Sequence, residues 1–113
     1  MDNIEYEFEE LIDYIKYNED IEYFYERYDE IMNIEGFDIN FHTENSKTLL
    51  ITSILSNEEE IFNFLLNNKA DINVICKNKT AIFYACEVGN INMIKKLLED
   101  PECDIFQVIN NNN

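Results

Sequence analysis

Few side chains in this sequence could perform chemistry, and a single histidine is the first to consider. His42 is the only imidazole that a Ser-His-Asp or Cys-His site could use. In such a site the base must contact both a nucleophile and an orienting group. His42 falls in a predicted hairpin between helices, where a surface contact is the expected role. We therefore predict no catalytic residues and no enzymatic activity.

Metal and cofactor sites are disfavoured by the spacing of the other candidates. Cys76 and Cys86 are ten residues apart and Cys103 lies seventeen further on, which does not match the paired spacing of zinc ligands. The acidic run 58–60 could bind a cation, but acids in the first turn of a helix also interact favourably with the helix dipole, and we favour that role. With two glycines in total, a glycine-rich phosphate loop is not expected. The prediction is no metal and no cofactor.

Cysteine usage and hydropathy favour an intracellular protein. Three unclustered cysteines argue against a disulfide framework and for a reducing compartment, cytoplasm or nucleus. We predict that Cys86 fills a small-residue core position in a helix. No run of about 18 apolar residues occurs, and the first residues lack the pattern of a signal peptide. At 113 residues, with 46% apolar and 13% aromatic side chains, the chain is expected to fold as one domain.

The net charge of −16 is concentrated near the N-terminus. Residues 1 to 35 hold thirteen acidic and two basic residues, giving −11, whereas residues 36 to 113 hold eleven acidic and six basic residues, giving −5. This charge disfavours direct binding to nucleic acid phosphates or to an anionic membrane. It favours a protein partner with a basic surface.

Two copies of one pattern lie end to end in the middle of the chain. The first reads KTLLITSILSN-EEEIFNFLL-NNKADIN from residue 47, and the second reads KTAIFYACEVGN-INMIKKLL from residue 79. Thr48 and Thr80 are 32 residues apart, close to the ~33-residue period of ankyrin arrays. The pattern resembles the ankyrin repeat, G-x-T-P-L-H-x-A-A-x-x-G-x-x-x-I-V-x-L-L-L-x-x-G-A-D-V-N. The chain is identified on these motifs as an ankyrin-repeat protein.

Each shared position has a structural reason. Thr48 and Thr80 can cap a helix by accepting a backbone N–H bond. Asn57 and Gly89 stand where that helix must end in a left-handed conformation. Small residues allow close helix approach, and apolar residues recur on one face of the following helix. The small residues are Ser53, Ala85 and Cys86; the apolar ones are Ile61, Phe62, Leu65, Leu66, Met93, Ile94, Leu97 and Leu98.

The sequence also departs from the family pattern. Pro and His are missing from both copies, and Ser46, Lys69 and Asn78 replace the usual turn glycines. The second hairpin is one residue shorter than the family pattern before Thr80, and the turn after residue 99 is one residue longer than that pattern. We expect less regular turns and an intact helix pattern.

Two further amphipathic helices are predicted before the repeats, starting near Ile4 and Ile21, with Asp2 and Asn3 as caps of the first. Residues 36–40 read GFDIN and match the G-A-D-V-N that ends an ankyrin unit. The predicted fold is all-α, an ankyrin-repeat solenoid of stacked helix-turn-helix units joined by short hairpin-like loops. We expect a divergent capping helix pair at 1–40, repeats at 41–73 and 74–106, and a polar tail at 107–113.

The resemblance implies a protein-binding module whose concave face is formed by hairpin tips and first helices. Carried over by position, the implied partner-binding residues are His42, Glu44, Asn45, Lys47, Leu55, Ser56, Cys76, Lys77, Lys79, Glu87 and Val88. Within the turns, Asp38, Asp71 and Asp104 are expected to accept backbone N–H bonds.

Two alternatives remain open for the function and one for the acidic N-terminus. The chain could self-associate as a homodimer through the C-terminal repeat end, where Leu97, Leu98, Ile105 and Phe106 lack full cover. It could also act as an acidic decoy of a basic nucleic-acid-binding protein. The acidic run Glu5, Glu7, Glu9, Glu10 and Asp13 is the solvated outer face of a terminal unit or, with Tyr6, Tyr14, Tyr17 and Tyr23, a docking surface.

Overall fold

Three consecutive helix pairs form the part of the protein that the structure describes. The computed structural model describes residues 3–17 and 20–105. These residues form the helices α1 (Asn3–Tyr17), α2 (Ile21–Met32), α3 (Leu49–Leu55), α4 (Glu59–Asn67), α5 (Ala81–Val88) and α6 (Ile91–Glu99). Helices pack within each pair, and the first helices stack in the order α1, α3, α5. The predicted all-α solenoid of stacked helix pairs is confirmed.

The first pair forms where the apolar periodicity predicts it. Phe8, Leu11 and Ile15 are fully buried along one face of α1, which is the spacing of an amphipathic helix. The Asp20 carboxylate starts α2 by accepting the Tyr23 N–H at 3.2 Å. The predicted caps Asp2 and Asn3 and the predicted tail 107–113, together with Phe106, fall outside the described side chains. The boundaries after residues 40 and 73 stay a prediction.

Helix α3 is the centre of the core because it lies between α1 and α5. Residues 49–54 are all buried. The Thr48 hydroxyl caps the helix by accepting the Ile51 N–H at 3.1 Å, as predicted. Two residues after α3, Asn57 has φ of 58°, and directly after α5, Gly89 has φ of 82°. Both predicted left-handed positions are confirmed.

Thr80 departs from the prediction, since its hydroxyl is buried without a hydrogen-bond partner. Its φ is −101°, compared with −62° at Thr48. The Phe83 N–H, which a capping hydroxyl would accept, instead donates to the Thr80 carbonyl at 3.1 Å. Thr80 therefore occupies the N-cap position with its backbone alone.

The predicted core position of Cys86 is also wrong, because this side chain is exposed. Its equivalent one repeat earlier, Ile54, is fully buried. Helix α5 covers α3 on that side, whereas among the described residues no helix pair follows α6. The small residue is present, but no described element covers it.

Side chains of the turns link one unit to the next. The Asp38 and Asp71 carboxylates accept the N–H groups of Asn40 and Asn73 at 2.6 and 2.9 Å, as predicted. The Asn40 side chain in turn accepts the Asp71 N–H at 2.8 Å, and Asn73 accepts the Asp104 N–H at 3.1 Å. These bonds, each 31 residues apart, fix the spacing of successive turns.

Candidate interaction surface

A tight turn presents two polar side chains between the second and third helix pairs. Cys76 and Lys79 form an antiparallel bridge, with N–H to carbonyl distances of 2.9 and 3.2 Å. Lys77 and Asn78 at its tip have φ of 55° and 68°, the combination required by a type I′ turn. The bridge fixes the backbone of this turn, and both tip side chains are exposed.

The preceding turn is held by Thr43. Its hydroxyl accepts the N–H groups of Asn45 and Ser46 at 3.1 and 3.0 Å, and its own N–H donates to the Ser46 carbonyl at 3.0 Å. His42, Glu44 and Asn45 remain exposed on the outside of this turn. These three side chains are therefore free to contact another molecule while the backbone stays ordered.

A groove of about 200 Å³ separates the two turns. It is lined by His42, Thr43, Glu44, Asn45, Ser46, Lys47, Ile75, Cys76 and Lys77. Six of the eleven predicted contact residues thus share one concavity. Thr43, Ser46 and Ile75 also line the groove but were not predicted from the repeat pattern. Their positions next to predicted contact residues could have indicated them.

Lys79 lies behind the second turn in a partly aromatic environment. Its ammonium group donates to the Glu87 carboxylate at 2.6 Å and lies 5.5 Å from the ring centres of both Phe83 and Tyr84. The Tyr84 hydroxyl donates to the Cys76 carbonyl at 2.7 Å, and burial raises the pKa of this phenol. These contacts attach the turn to α5.

Two apolar side chains mark the ends of the first helices. Leu55 ends α3 and is 45% exposed, and Val88 ends α5 and is 39% exposed. Ser56 follows Leu55 and is half-buried. The structure does not bring Leu55, Ser56, Lys79, Glu87 or Val88 into the groove between the turns.

Cys76 differs from the other predicted contact residues. Its side chain is only 5% exposed, and desolvation raises the pKa of the thiol. Lys47 and Lys79 are half-buried, whereas Lys77 and Glu87 are exposed. A partner could reach all the predicted residues except Cys76 without displacing their neighbours.

The acidic run of α1 is partly paired within the molecule. Arg27 donates to Glu7 and Glu10 at 2.5 and 2.7 Å and also to Glu30, and these hydrogen bonds raise the pKa of the guanidinium. The Ser46 hydroxyl donates to Glu9 at 2.5 Å. Glu7 and Glu10 therefore hold the first helix pair together, and Glu9 links α1 to the turn before α3.

Across residues 3–17 and 20–105, no group of three or more His, Cys, Asp or Glu side chains could hold a metal ion. In the same part of the chain, no helix is long and apolar enough to cross a membrane.

Comparison with known families agrees with the three helix pairs. A family model described as ankyrin repeats, in three copies, matches residues 10–108. A comparison with curated proteins found no significant match. Ankyrin repeats are generally protein–protein interaction modules and are typically non-enzymatic. The match covers most of the chain, and the chain belongs to the ankyrin-repeat family.

Proposed function

We propose that the chain binds a partner protein through its turns and the ends of its first helices, a set of residues that we call the turn surface. It consists of His42, Glu44, Asn45, Lys47, Leu55, Ser56, Lys77, Lys79, Glu87 and Val88. The observation that carries the proposal is the groove between two consecutive turns, whose exposed side chains project from hydrogen-bonded backbone. Rigid presentation of polar side chains lowers the entropic cost of binding.

The turn surface is nearly neutral although the whole chain is strongly acidic. Three lysines, two glutamates and His42 lie on it, and the Lys79–Glu87 pair is internally neutralised. The net charge of −16 resides mainly elsewhere. We infer a partner that is basic overall and makes mixed polar and apolar contacts. The acidic field would then increase the association rate, and the local contacts would set the dissociation rate.

Affinity capture from source-cell lysate tests this proposal. The natural chain is compared with a triple variant, Glu44→Lys, Leu55→Arg and Glu87→Lys. All three residues are exposed, and the only pair broken is a surface ion pair, worth about 0–1 kcal/mol. We expect one protein to be retained by the natural chain and lost by the folded variant.

A matched control places the same number of new positive charges on α1, at positions that do not line the groove. Tyr6→Lys, Asp13→Arg and Tyr17→Lys alter exposed positions of α1 and should leave capture intact. If the triple variant captures the same proteins as the natural chain, the turn surface is not the binding site. Loss in the control alone would instead assign binding to α1.

The decoy hypothesis is favoured by one feature of α2. Glu22, Glu26 and Asp29 are exposed and lie on one face at helical spacing. We infer that this face would compete with phosphates for a basic nucleic-acid-binding protein. Such binding should weaken steeply with salt, and binding that is indifferent to salt would rule it out.

Because Cys76, Cys86 and Cys103 are all free, we also infer a reducing intracellular compartment.

A further inference from the structure

One half-buried lysine beside the groove between the two turns has no acidic partner. In the part of the chain that the structure describes, the half-buried cationic residues are Arg27, Lys47 and Lys79. Arg27 is paired with three carboxylates and Lys79 with that of Glu87. Lys47 forms no ion pair within residues 3–17 and 20–105, although the chain has 24 acidic residues. Partial burial of an unpaired charge is unfavourable, so Lys47 is suited to an acidic group from another molecule.

The rest of the sequence offers few acids that could pair with this lysine. Residues 106–113 contain no Asp or Glu. Outside the described residues only Asp2 and Glu19 are acidic, and in sequence both adjoin α1 rather than either turn. The absence of a carboxylate beside Lys47 therefore does not depend on the segment after Ile105.

Lys47 lines the groove of about 200 Å³ together with Lys77 of the facing turn. Its ammonium group lies 6.0 Å from the ring centre of Tyr84. Desolvation raises the pKa of the buried Cys76 thiol, and the charge of Lys47 partly offsets that rise, so the ammonium group lies close to the buried part of the lining. Lys77 is exposed at the tip of its turn and also forms no ion pair with a described residue. Two unpaired ammonium groups thus border one concavity.

The charge and size of the groove favour a small ligand group with a single negative charge. Lys47 and Lys77 contribute two positive charges and Glu44 one negative charge. With His42 counted as neutral, one positive charge remains. A carboxylate matches this charge, whereas a phosphate group carries about −1.5 to −2 at neutral pH and would be repelled more strongly by Glu44. The volume of about 200 Å³ equals that of roughly six or seven water molecules, which is room for one side chain.

We propose that this groove binds the side-chain carboxylate of an aspartate or glutamate of the partner protein, with Lys47 at its base and Lys77 at its rim. The inference rests on the turn surface being the binding site and adds the chemistry of one contact. Charge-assisted hydrogen bonds between ammonium and carboxylate groups are among the stronger polar contacts. A partner that is basic overall must then present one acidic side chain here. Partners with a cation at that position would be rejected, which contributes to specificity.

Nuclear magnetic resonance titration of the full chain with single capped residues tests the proposal. One probe is aspartate capped by acetyl and methylamide groups, which carries one carboxylate, and the other is the neutral asparagine analogue. We expect the aspartate probe to cause saturable shifts at millimolar concentration in the side-chain resonances of Lys47 and Lys77 and in the backbone amides of 43–47 and 75–77. The asparagine probe should cause none.

Substitutions separate a defined site from a general attraction to lysines. Lys47→Gln should weaken binding of the aspartate probe at least about tenfold, because one charge-assisted hydrogen bond is lost. Lys96→Gln is the matched control, since it removes the same charge from an exposed lysine of α6 outside the groove and should leave binding unchanged. Glu44→Gln should strengthen binding because it removes the negative charge of the lining, an effect that a purely structural role for Lys47 does not predict.

The proposal is overturned if the groove shows no saturable shifts, if Lys47→Gln and Lys96→Gln cause equal losses, or if the asparagine probe binds equally well. Tighter binding of capped phosphoserine would assign the groove to phosphate instead. Failure of the turn surface is distinguishable, because the capture variant described above retains Lys47 and Lys77. If that variant loses its partner while the aspartate probe leaves the groove unchanged, only the carboxylate site fails. If the variant captures the same proteins as the natural chain, the turn surface fails and this proposal fails with it.

Discussion

The outer faces at the two ends of the helix stack differ in polarity. At the N-terminal end, Glu7 and Glu10 are neutralised by Arg27, and the exposed surface of α1 and α2 carries acids together with the phenols of Tyr6, Tyr17 and Tyr23. At the other end, Leu98 and Ile105 face outward with about half of each side chain exposed. Terminal units of repeat arrays need a polar outer face to remain soluble alone. The first pair has such a largely polar face, whereas the outer face of the third pair is apolar.

The ends are also joined to the middle of the molecule by different contacts. Aromatic rings connect the first pair to α4, since Tyr25 and Tyr28 lie 4.6 and 5.0 Å from Phe64 between ring centres. The third pair packs α5 on α3 and adds polar contacts, in which Asn90 donates to Asn57 at 2.7 Å and to Glu59 at 2.9 Å. Both sets converge on the second helix pair, which therefore couples the ends.

The largest expected effect on stability comes from a substitution in the core of the second helix pair. Leu65 is fully buried in α4, and Leu65→Ala should destabilise the fold by about 2–5 kcal/mol. Because both ends depend on α4, thermal unfolding should remain a single transition. Circular dichroism and tyrosine fluorescence, followed together, measure both quantities.

Leu98→Ala is the control, since its half-exposed site should change stability by only about 0.5 kcal/mol. Two separate transitions in Leu65→Ala would show that the first pair folds independently. An unchanged melting curve would mean that the register assigned to α4 is wrong.

The next effect concerns the N-terminal end alone. Arg27 is the only arginine in the chain, and its side chain is 19% exposed among three carboxylates. Arg27→Met keeps the aliphatic packing but leaves those acids unneutralised, so we expect a loss of about 1–3 kcal/mol. Urea denaturation at low and high salt provides the measurement. Lys16→Met removes one charge from an exposed site of α1 and should have little effect; equal losses in the two variants would exclude a specific role for Arg27.

Most of the fold could be predicted from the sequence because its signals are local. The spacing of Phe8, Leu11 and Ile15 defines the buried face of α1, and the left-handed residues Asn57 and Gly89 define helix ends. Exposure at the end of the stack depends on whether a further helix pair packs there, and for this reason the repeat pattern wrongly predicts a core position for Cys86. The pattern marks a small residue at that position but carries no information about its cover.

The candidate surface was harder to predict, since it depends on backbone detail within turns. His42, Glu44 and Lys77 share a groove as their positions in the repeat suggested. Cys76 occupies a neighbouring position, yet the bridge to Lys79 directs its side chain inward. The direction of a side chain in a tight turn is decided by the φ values of its neighbours, which a spacing pattern does not contain.

A smaller difference in the free energy of unfolding is expected between substitutions of two threonines at equivalent N-cap positions. Thr48 accepts the Ile51 N–H, so Thr48→Val should cost about 0.5–2 kcal/mol. The Thr80 hydroxyl is buried without a partner, and Thr80→Val should be neutral or stabilising because it removes an unsatisfied polar group. Chemical denaturation of the two variants under identical conditions gives the comparison. Equal destabilisation by the two substitutions would contradict the difference in capping.

The last expected effect on stability is absent at neutral pH and concerns two phenols, one at each end of the stack. Hydrogen bonding to Tyr23 and burial raise the pKa of Tyr14 to about 12, with a further contribution from Glu10, and burial raises the pKa of Tyr84. Phenols in the unfolded chain ionise near pH 10, so stability present below pH 10 should be lost as the pH rises towards 12.

Melting temperatures and tyrosinate absorbance, recorded together between neutral pH and pH 12, test this pH dependence. Tyr14→Phe should flatten the loss of stability above pH 10, because the variant has no phenol to ionise at that site. Tyr17→Phe changes a 69% exposed phenol of the same helix and should leave the curve unchanged. If Tyr14 instead ionises near pH 10 in the folded protein, its contact with Tyr23 does not protect the phenol, and the acidic end contributes nothing to alkaline unfolding through this residue.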